Sequence, residues 1–123
     1  MSKILLVEDD LQIATLYSIK LENSGFEFLH AENGLAALKA LSNFTPDLVL
    51  LDLHMPVMDG EAFLEAYRKQ PAFIDTPVII LTNISKTEAP KTLWHLGITD
   101  YIVKAHTTPS ELVQTIRQIL DAD

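Results

Sequence analysis

Five short segments of the chain are almost wholly apolar, and they alternate with longer segments in which apolar residues recur every three or four positions. The short segments run Lys3 to Val7, Phe26 to His30, Leu48 to Leu51, Val78 to Leu81 and Tyr101 to Val103. Four of the five are nearly continuous in apolar character, which is typical of strands covered on both faces by helices. The alternation predicts a (βα)₅ chain, a doubly wound five-stranded parallel sheet with right-handed crossovers and helices on both faces.

The longer segments carry the apolar stripes expected of helices packed on such a sheet. The stripes are Ile13, Leu16, Tyr17 and Leu21; Leu35, Leu38 and Leu41; Phe63, Leu64 and Tyr67; and Leu112, Val113, Ile116, Ile119 and Leu120. Gly25 is placed to end the first helix. Thr108 and Glu111 form a capping box around Pro109, which predicts the start of the last helix.

The fourth helix is constrained by Pro90, which lacks an amide hydrogen and is tolerated only in a first helical turn. We therefore predict a short helix from Glu88 to His95, ended by Gly97. Its buried stripe is Ala89, Leu93 and Leu96. Trp94 is turned about 100° from Leu93 and is predicted to be partly exposed.

Composition narrows the classes of function. The 123 residues suit a single domain with its own core. A formal net charge of −8 argues against direct binding of nucleic acid. The chain has no cysteine, which removes disulfides, thiolate metal sites and cysteine nucleophiles. The first apolar run is too short for a signal peptide or a membrane span, so we expect a cytoplasmic protein without membrane contact.

Polar side chains follow four of the five predicted strands. They are Glu8, Asp9 and Asp10 after the first strand, Asp52 after the third, Thr82 and Asn83 after the fourth, and Lys104 after the fifth. Ligands of such sheets bind at the carboxyl ends of the strands. Crowded carboxylates repel, and one shifts toward protonation unless a cation is present. Carboxylate oxygens suit Mg²⁺, so the set predicts a site for one phosphoryl group on an aspartate, neutralised by Mg²⁺ and lysine.

Each of these residues also has a plain structural interpretation. An aspartate at a strand end is often a turn residue, and Asp10 has the position of a helix N-cap. Thr82 is a common strand residue, and Lys104 could be a solvated loop lysine. Their joint occurrence at the same edge of the sheet favours the functional interpretation.

Four segments, "ILLVEDD", "LVLLDLHMPVMDG", "VIILTN" and "GITDYIVKA", resemble those of response-regulator receiver domains of bacterial two-component signalling. The resemblance covers the whole chain. It implies the chemotaxis-regulator-like strand order 2-1-3-4-5. It also implies one receiver domain over residues 1–123, with no effector domain.

The resemblance further implies that Asp52 is the phosphoacceptor, receiving its phosphoryl group from a histidine kinase or a phosphotransfer protein. Glu8 and Asp9 are then the acidic pair. Mg²⁺ is held by Asp9, Asp52 and the backbone carbonyl of His54, with Glu8 acting through water. Such a domain is a signalling switch rather than an enzyme, and it catalyses only its own phosphotransfer and dephosphorylation.

The remaining site residues are assigned in the same way. Thr82 is the switch hydroxyl, Tyr101 the aromatic residue that follows it, and Lys104 the partner of the phosphoryl oxygens, with Asn83 beside them. The changing surface lies around the fourth helix, fifth strand and fifth helix. It is expected to contact a downstream protein, and the chain to be a monomer or weak dimer.

Three positions depart from the family pattern. His54 stands two residues after the phosphoacceptor, where it could influence water attack on the acyl phosphate. Asn83 is bulkier than the small residue usual there. Ala105 replaces a proline that follows a cis bond, and we predict a trans Lys104–Ala105 bond. His30, His95 and His106 have no partner pattern and are predicted to be surface residues.

Two other functions use comparable residues. A haloacid-dehalogenase-like phosphatase also has an aspartyl nucleophile, but it needs a second aspartate where this chain has His54. A non-phosphorylated interaction module on the same fold would typically lack one or more of the site residues.

Overall fold

The structure, a computed structural model, describes residues 1–121 and contains one five-stranded parallel sheet. The strands are β1 (Lys3–Val7), β2 (Glu27–Ala31), β3 (Leu48–Leu51), β4 (Val78–Thr82) and β5 (Asp100–Val103). Their order is β2-β1-β3-β4-β5, and all four pairings are parallel. The predicted fold class and strand order are therefore confirmed. The bounds of β2, β4 and β5 differ from the prediction by one residue.

Five α-helices flank the sheet: α1 (Leu11–Asn23), α2 (Gly34–Ala40), α3 (Gly60–Arg68), α4 (Thr92–His95) and α5 (Pro109–Asp121). Short 3₁₀ helices lie at Pro71–Phe73, Lys86–Glu88 and Lys104–His106. The predicted cap of α5 is present, since the amide of Glu111 donates to Thr108 Oγ1 at 3.2 Å. Gly25 and Gly97 have φ of 88° and 74°, as required of residues that end helices in the left-handed region.

Side chains alternate between the two faces of the sheet, which gives the protein two apolar layers. Leu5, Val7, Val49 and Leu51 pack with residues of α2, α3 and α4. The neighbouring strand positions, such as Leu6, face α1 and α5 instead. The strands β1, β3 and β4 are buried on both faces, which explains their continuously apolar sequence.

The packed face of α1 differs from the prediction. Tyr17 and Leu21 are buried as expected, but Ala14 completes their stripe, and Leu16 is 55% exposed. Leu16 follows Ala14 by two positions, which turns it away from the sheet on a helix of 3.6 residues per turn. The pattern of apolar residues favoured Leu16 over Ala14 because leucine is more apolar than alanine.

The fourth helical segment is also shorter than predicted. Instead of one helix from Glu88 to His95, a 3₁₀ turn ends at Glu88, Ala89 is extended with ψ of 147°, and α4 covers only Thr92–His95. The cause is Pro90, because a proline disfavours helical geometry at the residue before it. The predicted burial holds, since Leu93 is inaccessible while Trp94 is 43% exposed.

Candidate functional site

Asp52 lies directly after β3 and is held there by its neighbours. Its amide donates to the carbonyl of Val7 at 3.0 Å, and its Oδ1 accepts from the amide of Leu53 at 2.7 Å. The amide of Gly60 donates to the carbonyl of Leu53 at 2.9 Å. A Cβ on Gly60 would collide with the carbonyl oxygen of Asp52. The glycine at the start of α3 therefore allows this helix to approach the end of β3.

The acidic pair and Lys104 meet Asp52 at this edge of the sheet. Lys104 Nζ lies 2.6 Å from Glu8 Oε1 and 3.0 Å from Asp52 Oδ2. Carboxylate oxygens of Glu8, Asp9 and Asp52 lie within 4.8 Å of one another. Glu8 and Asp52 are buried, with 1% and 6% of their surface exposed, whereas Asp9 is open to solvent. Four of the predicted site residues are thus neighbours.

The electrostatics of this crevice follow from its burial. Burial raises the pKa of Glu8 from 4.5 to about 7, because the opposing hydrogen bond from Lys104 only partly offsets it and the charge of Asp52 adds to it. Burial by itself would lower the pKa of Lys104, but the hydrogen bonds to Glu8 and Asp52 outweigh it and raise that pKa. The raised pKa favours protonation of Glu8, as predicted for one of the carboxylates, but its main cause is burial and the charge of Asp52 contributes less.

The donor atoms fit a hard divalent cation. Three carboxylates supply oxygen, the ligand type that Mg²⁺ prefers, and few protein ligands are needed because the ion keeps several waters. An open cavity of about 410 Å³ lies against Asp9 and His54 and is also lined by Met55, Pro56 and Asp59. Within residues 1–121, the backbone carbonyl of His54 accepts no hydrogen bond. That oxygen therefore has no protein partner within these residues.

A second set of contacts leads from the end of β4 toward the surface. Thr82 is buried, and its Oγ1 accepts a long hydrogen bond of 3.5 Å from the amide of Ile84. The hydroxyl of Tyr101 donates to the carbonyl of Ile84 at 2.8 Å. The ring of Trp94 lies 6.0 Å from that of Tyr101. Asn83 is exposed and lines a cavity shared with His54.

One residue of the site was missed by sequence reasoning. His30, predicted to be a surface residue, is partly buried, and its Nε2 lies 2.6 Å from the backbone carbonyl of Glu8. The two residues are 22 positions apart, so no local pattern links them. His95 and His106 are exposed, as predicted. The Lys104–Ala105 bond is trans, which confirms that prediction.

Comparison with known proteins identifies the family. Residues 4–117 match the model of the response regulator receiver domain, and the chain belongs to this family. A probable transcriptional regulator of Porphyridium aerugineum is 36% identical over 118 residues, which are 96% of this chain and 48% of the relative.

Comparison with solved structures agrees with this family assignment. The chemotaxis response regulator CheY4 of Vibrio cholerae superposes with a TM-score of 0.88 at 31% identity, covering 97% of this chain and 98% of that one. The Mn²⁺-bound form of the response regulator Rcp1 superposes with a TM-score of 0.80 at 28% identity, covering 96% of this chain and 93% of that one.

The family defines the general role of the chain. It is a receiver domain of two-component signalling, a family that interacts with histidine kinases or phosphotransfer proteins and generally binds Mg²⁺ at an acidic pocket. This membership places the chain in a family other than the dehalogenase-like phosphatases. The chain spans about half the length of the regulators it matches. Every helix within residues 1–121 is too short or too polar to span a bilayer.

Proposed function

We propose that this chain is a phosphorylation-activated switch in which Asp52 accepts a phosphoryl group from the phosphohistidine of a histidine kinase or phosphotransfer protein. The observation that carries the proposal is the meeting of Glu8, Asp9 and Asp52 within 4.8 Å, with Lys104 bridging Glu8 and Asp52. Phosphoryl transfer requires a positioned nucleophile and compensating positive charge. Asp52 would be the nucleophile, Lys104 supplies one positive charge, and the carboxylates would hold Mg²⁺ as the second.

In the proposed reaction, a carboxylate oxygen of Asp52 attacks phosphorus. A phosphorus–oxygen bond forms as the phosphorus–nitrogen bond breaks, and the electron pair of that bond stays on the departing imidazole. Asp9, Asp52 and the carbonyl of His54 would hold Mg²⁺, with Glu8 acting through water. The ion would neutralise the phosphoryl oxygens. Lys104 adds a fixed ammonium, which would exchange its contact with Asp52 for a contact with the new phosphoryl group.

The proposed output follows the contacts at the end of β4. Movement of the Thr82 hydroxyl toward the phosphoryl group would release the amide of Ile84, whose carbonyl accepts from Tyr101. Because Tyr101 packs near Trp94, the change would reach the surface formed by α4, β5 and α5. We propose that this surface contacts a downstream protein.

The phosphodonor is proposed to dock over α1. Three large apolar residues of this helix, Leu11, Leu16 and Ile19, are 59%, 55% and 55% exposed. The helix begins at Leu11, two residues after Asp9, so its first turn adjoins the acidic pair, and Leu16 and Ile19 follow along the helix. An exposed apolar patch of this kind supports a protein partner.

A single receiver domain without an effector domain in residues 1–123, a cytoplasmic location and a monomeric or weakly dimeric state remain predictions. The first is supported by the elements of the fold, which account for the chain from β1 to α5.

Labelling with phosphoramidate tests the proposal, because its phosphorus–nitrogen bond resembles that of phosphohistidine. Intact-protein mass spectrometry should show one added phosphoryl group with Mg²⁺ and none with EDTA. Asp52→Asn should abolish the adduct. Asp47→Asn is the matched control, since Asp47 precedes the same strand at the opposite edge of the sheet.

Two results would contradict the proposal. Unchanged labelling of Asp52→Asn would show that another residue is the acceptor. Absence of labelling of the native protein, by phosphoramidate and by a phosphorylated histidine kinase, would favour the non-phosphorylated interaction module.

A further inference from the structure

We infer that His30 is a positioning residue for the acidic pair, acting through the backbone of Glu8. The inference rests on the proposed Mg²⁺ site at Glu8, Asp9 and Asp52. It concerns how the chain holds that site rather than which atoms bind the ion. The observation behind it is the contact between His30 Nε2 and the carbonyl oxygen of Glu8, at 2.6 Å.

This contact completes the hydrogen-bond ladder between β1 and β2. The amide of Glu8 donates to the carbonyl of Ala31 at 3.0 Å. In a regular parallel ladder, the carbonyl of Glu8 would next accept from the amide of Asn33. Asn33 instead caps α2, with its side chain accepting from Ala36. The ring of His30 therefore supplies the donor that the backbone no longer provides.

The contact also directs the chain into Asp9. The carbonyl oxygen of Glu8 and the Cα of Asp9 lie in one peptide plane, so a hydrogen bond at that oxygen limits the direction in which Asp9 leaves. On the other side, the amide of Asp10 donates to Glu8 Oε2 at 3.2 Å, and Asp10 caps α1. Asp9 is thus an exposed residue held between two fixed neighbours, and His30 fixes the first of them.

The chemistry of the contact selects the test variants. A carbonyl oxygen only accepts, so Nε2 carries the hydrogen, and it does so in both the neutral Nε2–H tautomer and the protonated ring. Glutamine offers an amide donor at a similar reach. Leucine fills similar space without a donor. The pair His30→Gln and His30→Leu therefore separates the hydrogen bond from packing.

The measurement is Mg²⁺ affinity by calorimetric titration of the full chain, with the melting temperature recorded for each variant. His30→Leu should raise the Kd for Mg²⁺ by about 3- to 10-fold, below the effect of losing a direct partner of a metal ligand, because His30 acts through the backbone. His30→Gln should stay within about twofold of the native Kd. His95→Leu, which alters an exposed histidine of α4, is the control and should leave the Kd unchanged.

The competing explanation is a purely structural role. It requires that His30→Leu lowers the melting temperature while the Kd stays at the native value, and that result would overturn the inference. Equal weakening by His30→Gln and His30→Leu would overturn it too. If the native protein and Asp9→Asn bind Mg²⁺ equally poorly, the proposed metal site itself has failed, which is a distinguishable outcome. Should His30→Leu not fold, His30→Asn, whose amide is too short to reach the carbonyl, replaces it with the same expectation.

Discussion

Replacing Glu8 by glutamine should change how the stability of the metal-free protein depends on pH. Glu8 is 1% exposed and shares Lys104 with Asp52. Burial is the main reason that its pKa rises from 4.5 to about 7. The native state therefore binds the Glu8 proton more tightly than the unfolded state, whereas the glutamine side chain of the Glu8→Gln variant has no proton to exchange.

The sign and size of this pH dependence follow from the linkage between proton binding and folding. Since the folded-state pKa is the higher one, the stabilisation by the bound proton is fully present below pH 4.5 and is lost as the pH rises through 7. The pKa difference of about 2.5 corresponds to about 3 kcal/mol, at 1.36 kcal/mol for each pKa unit. Native protein should lose about this much free energy of unfolding, relative to Glu8→Gln, between pH 4.5 and pH 8.

Urea denaturation in EDTA between pH 4.5 and pH 8 measures the difference between the two proteins. Histidine titrations are common to both and cancel in that difference. Glu22→Gln, at an exposed position of α1, should run parallel to the native protein and serves as the control. A difference between native protein and Glu8→Gln that stays constant with pH would refute the reasoning.

Three further outcomes are expected. Trp94 fluorescence should change when Mg²⁺ and the phosphoryl mimic beryllofluoride are added together, and not with either alone, because Trp94 packs near Tyr101. Unchanged fluorescence despite proven binding of beryllofluoride would show that Trp94 is not on the switching surface. Gly60→Ala should destabilise the protein by at least about 2 kcal/mol in urea denaturation, because its Cβ would also lie 2.9 Å from Leu53 Cα. Gly97→Ala should cost less, because nothing lies within 4 Å and only the φ of 74° opposes a side chain there; equal losses would contradict this. Leu16→Gln should change the free energy of unfolding by less than about 0.5 kcal/mol, and it should slow phosphotransfer from a kinase but not from phosphoramidate. If the variant and the native protein react with the kinase at equal rates, α1 is not part of the docking surface.

The sequence by itself determined the fold class, and it predicted which polar side chains lie at the carboxyl ends of the strands. The apolar runs at β1, β3 and β4 by themselves indicate strands that are buried on both faces. The helix caps at Asp10 and Thr108 involve residues only two or three positions apart. Placement of Asp52 and Lys104 at strand ends then followed from the rule that parallel strands end at a common edge. These signals are local, and so they can be read from the chain.

The tertiary structure decided which of these residues touch and what state they adopt. The ion pair of Lys104 with Asp52 spans 52 positions, and the bond of His30 to Glu8 spans 22, so neither is encoded in a short-range pattern. The raised pKa of Glu8 likewise requires knowing its burial and its distance from Lys104. Leu16 was misplaced because the packed face of α1 depends on where the sheet lies and not on which residue is more apolar. Contacts between distant segments and the desolvation they cause exist only once the chain has folded, and they determine the electrostatics of this site.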